Sequence, residues 1–488
     1  MKKIKIALSI SLLASSLFGM NYNVSLDEAI SIALKNNAKL KISQTSIKIA
    51  DTLYNQAYSA HYPTLDLSVN AFRMSQDATF TLKGETVIDN TQSIAMNNAL
   101  SQAAQADGNP VTAGTYANIA ANTPAQTNVP INFDTKILGQ DSVISKVSTV
   151  LPLYTGGKIS SYVEQASIGK KIAQEGKRRS TNEIIYDVKR YYYSVVLTKQ
   201  LKKLSDDTME RMYFIQDLTT RLYKGGSLNV KKTDYLRTKL GINIMEALNI
   251  EITTNETLAK SALLFAMGLP WGDSVDVTLE DIPVPTMDKS LKLLVNNAYS
   301  FNPDYQTLKL AINVYDAKID ESQSDYLPSV GAYASAQNIY NSYEYGLINE
   351  DNKNTWTIGI GVEWSLFNGM RTSNEVEQNR LEKLKLQQQE LLLKEGLALQ
   401  VKKEFLQIKS SYKKYEVLTQ ATKTAEENRD LNTRAYQEDM VATKDVIESQ
   451  LFESYTFAAY YKSIHTHALA RAELDFIVGS TMSNSVGN

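Results

Sequence analysis

Few side chains of this chain are spaced to do chemistry. The 488 residues include three histidines, His61, His465 and His467, and no cysteine. His465 and His467 are two positions apart, so on a helix their rings would point about 200° apart and could not share one metal ion. The lack of cysteine excludes thiol catalysis, thiolate metal sites and a disulfide framework. The sequence therefore predicts no metal site.

One glycine-rich stretch, residues 155–158, resembles the end of a phosphate-binding loop. Pro152 stands at the first glycine position of that motif and Ile159 at its final serine or threonine position, so the phosphate cradle is incomplete. No nucleophile elbow and no arrangement of serine, histidine and aspartate is apparent. A formal net charge of −2 also excludes a strongly basic nucleic-acid binder. We therefore predict no enzyme activity, no cofactor and no nucleic-acid partner.

Residues 1–19 have the composition of a secretory signal peptide. Lys2, Lys3 and Lys5 precede an apolar run at residues 6–18, and Gly19 follows it. No other window holds about 18 uninterrupted apolar residues, which a membrane-spanning helix requires. We expect the exported chain either to stay soluble or to enter a membrane as β-structure.

Residues 356–369 alternate between large apolar side chains and small or polar ones, as an extended strand with one greasy face would. Trp356 and Trp364 are eight positions apart, which is roughly 26 Å along a strand. Outer-membrane barrels carry an apolar band about 25 Å tall between two aromatic girdles. We interpret the two tryptophans as girdle residues, although a half-buried strand of a soluble sheet alternates in the same way.

The same order of features occurs twice. Asn37 and Asn302 are 265 positions apart, and so are Pro63 and Pro328, each of which precedes an alternating strand. The stretches that end at Gly156 and Gly369 are 213 positions apart, so the first copy holds 52 extra residues between its strands. This pattern predicts a tandem duplication. The insertion, which lies within residues 74–142, lacks a sustained apolar period and is predicted to be an exposed loop with a short helix at residues 94–104.

The two copies are predicted at residues 20–268 and 290–480, with an equatorial linker at 269–289 and a tail at 481–488. Each copy has a first helix that continues to its proline, two strands, a very long helix, a tip and a returning helix. Long runs without proline and apolar residues at steps of three and four predict coiled-coil packing. The predicted seams include Val188, Tyr192 and Val195 in the first copy and Val401, Phe405 and Ile408 in the second. In the first copy the strands are predicted near residues 64–74 and 142–154, the long helix at 158–224, the tip at 225–227 and the returning helix at 228–267. In the second copy the strands are predicted near residues 329–340 and 355–367, the long helix at 370–437, the tip at 438–440 and the returning helix at 441–478.

Four strands are too few to close a barrel, because the smallest outer-membrane barrels have eight. Open strand edges cannot stand in lipid with unpaired backbone groups. Subunits must therefore pool their strands, and three chains would supply twelve. The sequence thus predicts an α+β membrane protein in which repeated helices line a hollow cylinder.

The chain resembles the TolC-type outer membrane efflux protein family over about residues 24–480. The resemblance rests on Asn37 and Asn302, on Pro63 and Pro328, and on residues 153–157 and 366–369. It implies a homotrimer with a twelve-stranded barrel in outer-membrane lipid, continuous with a long α-helical coiled-coil tunnel across the periplasm of a Gram-negative bacterium. It also implies a periplasmic adaptor protein and an inner-membrane RND, MFS or ABC exporter as partners.

The function that this resemblance implies is an exit duct of a tripartite efflux or type I secretion system, passing drugs, metabolites or polypeptides. The alternative is a non-conducting, exported coiled-coil protein of the cell surface, structural or adhesive. The resemblance further implies a lumenal selectivity ring of Asp445 and Glu448 at the tunnel entrance. It implies contacts of Thr233 and Asp234 with Tyr436 that keep the entrance closed. Val441 stands where the best-known members carry a latch arginine.

Overall fold

The computed structural model describes residues 20–227, 229–286, 290–341, 347–348 and 351–479. The predicted signal peptide and C-terminal tail lie outside this part of the chain. The elements, in chain order, are β1 (Asn21–Val24), α1 (Leu26–Asn36), α2 (Ala38–Ser59), β2 (Thr64–Arg73), β3 (Ala78–Asp89), α3 (Thr91–Ala106), α4 (Pro110–Asn122), β4 (Gln126–Leu138), β5 (Asp141–Tyr154), α5 (Lys158–Lys224), α6 (Lys232–Met267), β6 (Ser274–Val277), α7 (Leu291–Phe301), α8 (Pro303–Ser324), β7 (Ser329–Asn341), β8 (Asn354–Glu363), α9 (Arg371–Gln437) and α10 (Thr443–Val478).

The chain is an α+β protein, mostly helical, and divides into two compact units. The helical unit comprises residues 1–58, 157–323 and 368–488, and the sheet unit comprises residues 59–156 and 324–367. Among the described helices, none carries an apolar stretch long enough to cross a membrane. In the helical unit, α5 packs on α6, α9 packs on α10, and α10 also packs on α5. β1 and β6 form a small parallel pair in the same unit.

Buried apolar residues follow the long helices at steps of three and four. Val188, Tyr192 and Val195 of α5 are fully buried, and so is Val401 of α9. Ile408 of α9 is also buried, with 7% of its surface exposed. These positions confirm the predicted coiled-coil seams. Because each seam residue inserts between side chains of a facing helix, a 67-residue helix such as α5 is stabilised along its length by packing rather than by propensity alone.

The first helix of each copy is interrupted, where the sequence predicts a continuous one. Asn37 separates α1 from α2 in an extended conformation, and Asn302 separates α7 from α8 in the same way. The side-chain amide of Asn37 donates to the Ala266 carbonyl at 2.8 Å, and that of Asn302 donates to the Ile477 carbonyl at 2.8 Å. Each asparagine oxygen also accepts a backbone N–H at the start of the next helix. An amide that bonds to a distant helix competes with the local helical pattern, which causes the break.

The sheet unit contains a four-stranded antiparallel sheet in the order β2-β5-β7-β8. The two outer strands of this sheet, β2 and β8, have apolar, solvent-exposed faces. Trp356 at the start of the β8 alternation is 77% exposed, and the residues that continue this face are Ile358, Ile360 and Val362. The opposite face of β8 lies under the Tyr333 ring, since a side chain on Gly359 would overlap the Tyr333 hydroxyl.

β8 ends at Glu363, four residues before its predicted end. Glu363 pairs with Ser329, the first residue of β7, so the chain beyond it has no partner strand to continue the ladder. Trp364 therefore lies just past the strand, where its indole N–H donates to the Tyr326 carbonyl at 3.0 Å. Its ring remains more than half exposed.

The 52-residue insertion is more ordered than predicted. The predicted short helix at residues 94–104 lies within α3, which confirms it. The rest, predicted as an exposed loop, contains a second helix, α4, and the antiparallel strand pair of β3 and β4. The alternation in β4 of Val129, Ile131 and Phe133 with polar residues is the sequence signal for this strand pair. Pro130 within the run obscures that signal, because proline in a sheet is confined to edge strands, to the first residue of a strand or to bulges.

Two features require glycine at position 479, which follows α10 and contacts the joint between α7 and α8. Gly479 follows α10 with a φ of +77°, and a side chain there would overlap the Phe301 carbonyl and the Asn302 backbone. We expect Gly479→Ala to lower the free energy of unfolding by more than about 1 kcal/mol, measured by thermal unfolding. Gly396→Ala, inside α9 with open space around it, should stabilise the protein by roughly 0.5–1 kcal/mol. Equal effects of the two substitutions would contradict this account.

Candidate gating site at the helix tips

The two turns that reverse the long helices contact each other. Gly226, with a φ of +79°, ends the α5 turn, and Asp439, with a φ of 56°, occupies the turn between α9 and α10. The Ser227 hydroxyl donates to the Asp439 carboxylate at 3.2 Å. The left-handed conformation suits glycine and is tolerated by aspartate. Both helix pairs thus end at one site, which we call the tip.

Tyr436 lies at the centre of the tip and is only 1% exposed. Its hydroxyl forms hydrogen bonds with Thr219 of α5, at 2.7 Å, and with Thr443 of α10, at 3.0 Å. Its ring belongs to an apolar cluster completed by Met212, Ile215, Ile242, Val446 and Ile447. Since Tyr436 itself belongs to α9, this one side chain connects three long helices.

The predicted partners of Tyr436 lie at the start of α6. Thr233 is exposed, and Asp234 is half-buried. The Asp234 carboxylate accepts the Lys231 backbone N–H at 2.9 Å, which caps α6, and pairs with Arg237 at 3.4 Å. Within the described chain, the hydroxyl bonds of Tyr436 run to the two threonines described above. Its contact with Thr233 and Asp234 stays a prediction.

Asp445 and Glu448 occupy the exposed face of the first turns of α10. Both are exposed, whereas Val446 and Ile447 between them are buried. Glu448 also approaches Lys444 at 3.6 Å. The spacing of three places both carboxylates on one side of the helix, directed away from the apolar cluster. Val441, where the resemblance implies a latch arginine in other members, packs against that cluster; what replaces the latch stays a prediction.

A buried ionic group that the sequence does not reveal lies about 15 Å along α10 from its start. The Glu453 carboxylate, 5% exposed, pairs with Arg211 of α5 at 2.7 Å and with Arg429 of α9 at 2.5 Å. Arg211 also donates to Gln450 at 2.9 Å, and Gln450 donates to Thr433 at 3.0 Å. We call these side chains the Glu453 network.

The Glu453 network connects the same three helices as Tyr436. Burial raises the pKa of the Glu453 carboxyl, and the charges of Arg211 and Arg429 oppose that rise. Each guanidinium donates to a different carboxylate oxygen, which is the charge-assisted geometry that compensates desolvation. No local motif predicts this site, because Arg211 is more than 200 positions from Glu453 and Arg429 is 24 positions away on another helix, so only the fold brings them together.

The two histidines of α10 have separate partners, as their spacing predicts. His465 Nε2 lies 3.3 Å from the Ser194 hydroxyl, and His467 Nδ1 lies 3.3 Å from the Ser411 hydroxyl. Burial, together with the charge of Lys462, lowers the pKa of His465 to about 4. Among the described residues there is no group of three or more histidines and carboxylates that could hold a metal.

This arrangement of long helix pairs and a four-stranded sheet is the fold of outer-membrane channel proteins. The chain is similar to the CmeC outer membrane channel of Campylobacter jejuni, with a TM-score of 0.69 and 13% identity over 93% of this chain and 85% of that one. It is also similar to the MtrE outer membrane channel of Neisseria gonorrhoeae, with a TM-score of 0.68 and 13% identity over 93% and 89% of the two chains. A third similar structure is VceC of Vibrio cholerae, with a TM-score of 0.68 and 14% identity over 93% and 96%.

The family model described as "Outer membrane efflux protein" matches residues 29–269 and 294–446. The chain belongs to the outer membrane efflux protein family, which confirms the predicted resemblance and places the protein in the outer membrane. It is also 27% identical over 259 residues to the alkaline protease secretion protein AprF of Pseudomonas aeruginosa. That match spans 50% of this chain and 50% of the relative's length.

The burial of the Glu453 network predicts a large effect of removing its anion. Glu453→Ala leaves Arg211 without its carboxylate partner and leaves Arg429 with only the more exposed carboxylates of Asp430 and Glu426. We therefore expect a loss of about 3 kcal/mol of stability, measured as a fall in the thermal unfolding midpoint. Glu448→Ala is the matched control, because it removes an exposed carboxylate from the same helix and should leave the midpoint unchanged. Similar midpoints for both variants would contradict a structural role for the network.

Proposed function

We propose that this protein is a passive exit duct that conducts cargo out of the cell as a homotrimer. The observation that carries the proposal is a four-stranded sheet whose apolar edge strands, β2 and β8, each have a partner strand on one side only, in a chain whose long helices end at one tip. A single copy leaves backbone groups along both edges without partners, at a cost that lipid makes prohibitive. Pairing β8 of one copy with β2 of the next closes a barrel, and three copies supply twelve strands.

The helical unit supplies the second part of the duct. In the proposed trimer, the helix pairs surround a tunnel across the periplasm, and the tips form its entrance. Asp445 and Glu448 face the lumen there, where three copies make two stacked carboxylate rings that favour cations. The closed tip opens when a periplasmic adaptor binds the open arrangement more tightly.

The partners and the cargo follow from the class of duct. A duct without chemistry of its own needs an energy source, so we infer an inner-membrane RND, MFS or ABC exporter coupled through the adaptor. The similarity to a protein named for alkaline protease secretion supports a polypeptide cargo. The similarity to efflux channels supports drugs and metabolites.

The proposal is tested by fractionating membranes, purifying the protein and recording from planar bilayers. We expect a heat-modifiable trimer in the outer-membrane fraction that produces discrete conductance steps. A trimer that never conducts would support the alternative, a coiled-coil protein of the cell surface. A monomer in detergent would contradict the shared barrel.

The carboxylate rings predict the ion preference of the duct. Asp445→Ala combined with Glu448→Ala should lower the ratio of cation to anion permeability by about an order of magnitude, equal to about 1.4 kcal/mol in the barrier. Reversal potentials in a salt gradient measure this ratio. Glu377→Ala, which removes an exposed carboxylate near the start of α9, should leave it unchanged. An unaltered ratio in the double variant would contradict the lumenal assignment.

The central place of Tyr436 predicts its role in closure. Tyr436→Phe removes the bonds to Thr219 and Thr443 and should cost the closed state about 1 kcal/mol per subunit, raising the open-to-closed ratio roughly fivefold for each. Single-channel open probability measures the change. Tyr455→Phe alters a largely exposed tyrosine of α10 and serves as the control. Equal open probabilities in both variants would argue against closure through this hydroxyl.

A further inference from the structure

At the tip, the two helix pairs are held to each other differently from the helices within a pair. The turn at residues 225–231 joins α5 to α6, and the turn at residues 438–442 joins α9 to α10. The contact between the pairs, which is made by α10 on α5, is noncovalent. Separating the pairs at the tip therefore breaks side-chain contacts alone, whereas separating the helices of one pair would also unfold a turn.

The hydrogen bonds between α5 and α10 are unevenly spaced along their contact. Arg211 of α5 donates to Gln450 at 2.9 Å and to Glu453 at 2.7 Å, both on α10. In the part of the chain that the structure describes, the next hydrogen bond between these helices, moving away from the tip, joins Ser194 to His465. It lies about 26 Å further along α5. Arg211 therefore holds the tip segment of α10 against α5.

The Glu453 carboxylate divides its two arginines between the pairs. One oxygen accepts from Arg429 of α9, in the same pair as Glu453, and the other accepts from Arg211, in the opposite pair. Separation of the pairs breaks the bond to Arg211 and retains the bond to Arg429. Arg211 keeps Thr208 of its own helix as a partner, and its side chain is already 30% exposed to water. Glu453 keeps a counter-ion, so no bare buried charge is created.

We propose that Arg211 is a latch on the closed tip and that Arg429 makes this latch reversible. This inference rests on the proposed opening of the duct at the tip. The latch adds charge-assisted hydrogen bonds to the neutral ones that Tyr436 forms nearer the turns. Arg429 acts in the opposite direction to Arg211 for two reasons. Its charge repels the neighbouring guanidinium, and it stays on Glu453 after Arg211 has left.

The latch predicts opposite effects of removing the two arginines. Val446 of α10 is fully buried in the apolar cluster of the tip, and the natural chain has no cysteine, so a thiol at position 446 reacts when the pairs separate. In full-length Val446→Cys protein in native membranes, Arg211→Met should raise the rate of alkylation by iodoacetamide about tenfold, as expected for a lost charge-assisted bond. Arg429→Met should lower the rate, because Glu453 then has no counter-ion in the separated state.

Two controls distinguish a latch from a general loss of structure. Arg221→Met removes an exposed arginine of α5 that pairs with Asp217 of the same helix, and it should leave the rate at position 446 unchanged. Val188→Cys places the single thiol at a fully buried position of α5 far from the tip, where Arg211→Met should leave the rate unchanged. A change of the same sign from both arginine variants contradicts the latch. So does an equal rise at positions 188 and 446.

Planar-bilayer recordings of the same proteins separate the latch from the duct. Opposite shifts in the alkylation rate, in a protein that produces conductance steps, support both. Opposite shifts in a protein that never conducts support the latch and contradict the duct. Conductance steps with equal alkylation rates in the two arginine variants overturn the latch and leave the duct standing.

Discussion

The backbone groups along the two open edges of the sheet are the constraint on which the rest of the structure depends. β5 and β7 are paired on both sides, whereas β2 and β8 each have one partner within the chain. Both edge strands carry exposed apolar side chains, which suit lipid, and their free N–H and C=O groups do not. In the proposed trimer, pairing with other copies satisfies these groups and keeps the apolar faces outward, and the helices of the three copies surround a common axis.

Within the helical unit, buried polar groups fix positions that apolar packing alone would leave free to slide. Seam residues such as Val188 and Val401 are interchangeable along a coiled coil, because one apolar step resembles the next. Asn37 and Asn302 remove that freedom at the helix joints, since each has a single carbonyl partner. Near the tip, Tyr436 and the Glu453 network do the same for α5, α9 and α10 together. Movement of one tip helix thus strains the other two.

Features that repeat locally are predictable from this sequence, whereas those assembled over long distances are not. Alternation and steps of three and four are local patterns, which is why the strand at Trp356 and the seam at Tyr192 were predictable. The breaks at Asn37 and Asn302 depend on carbonyls more than 170 positions away, and the pairing of Glu453 depends on two other helices. The insertion was predicted as a loop because its helices are rich in small, uncharged residues, and such helices show almost no apolar period. The placement of Asp445 and Glu448 in a lumen stays a prediction, because a lumen exists only between subunits.

Hydrogen exchange along the sheet tests the central claim of pooled strands most directly. The amides of β5 and β7 are paired within the chain and serve as an internal standard of protection. In the purified protein in detergent, a shared barrel predicts that the outward-facing amides of β2 and β8 exchange as slowly as those of β5 and β7. Fast exchange along β2 and β8 beside a protected centre would contradict the claim, because it would show that the edges remain open to water.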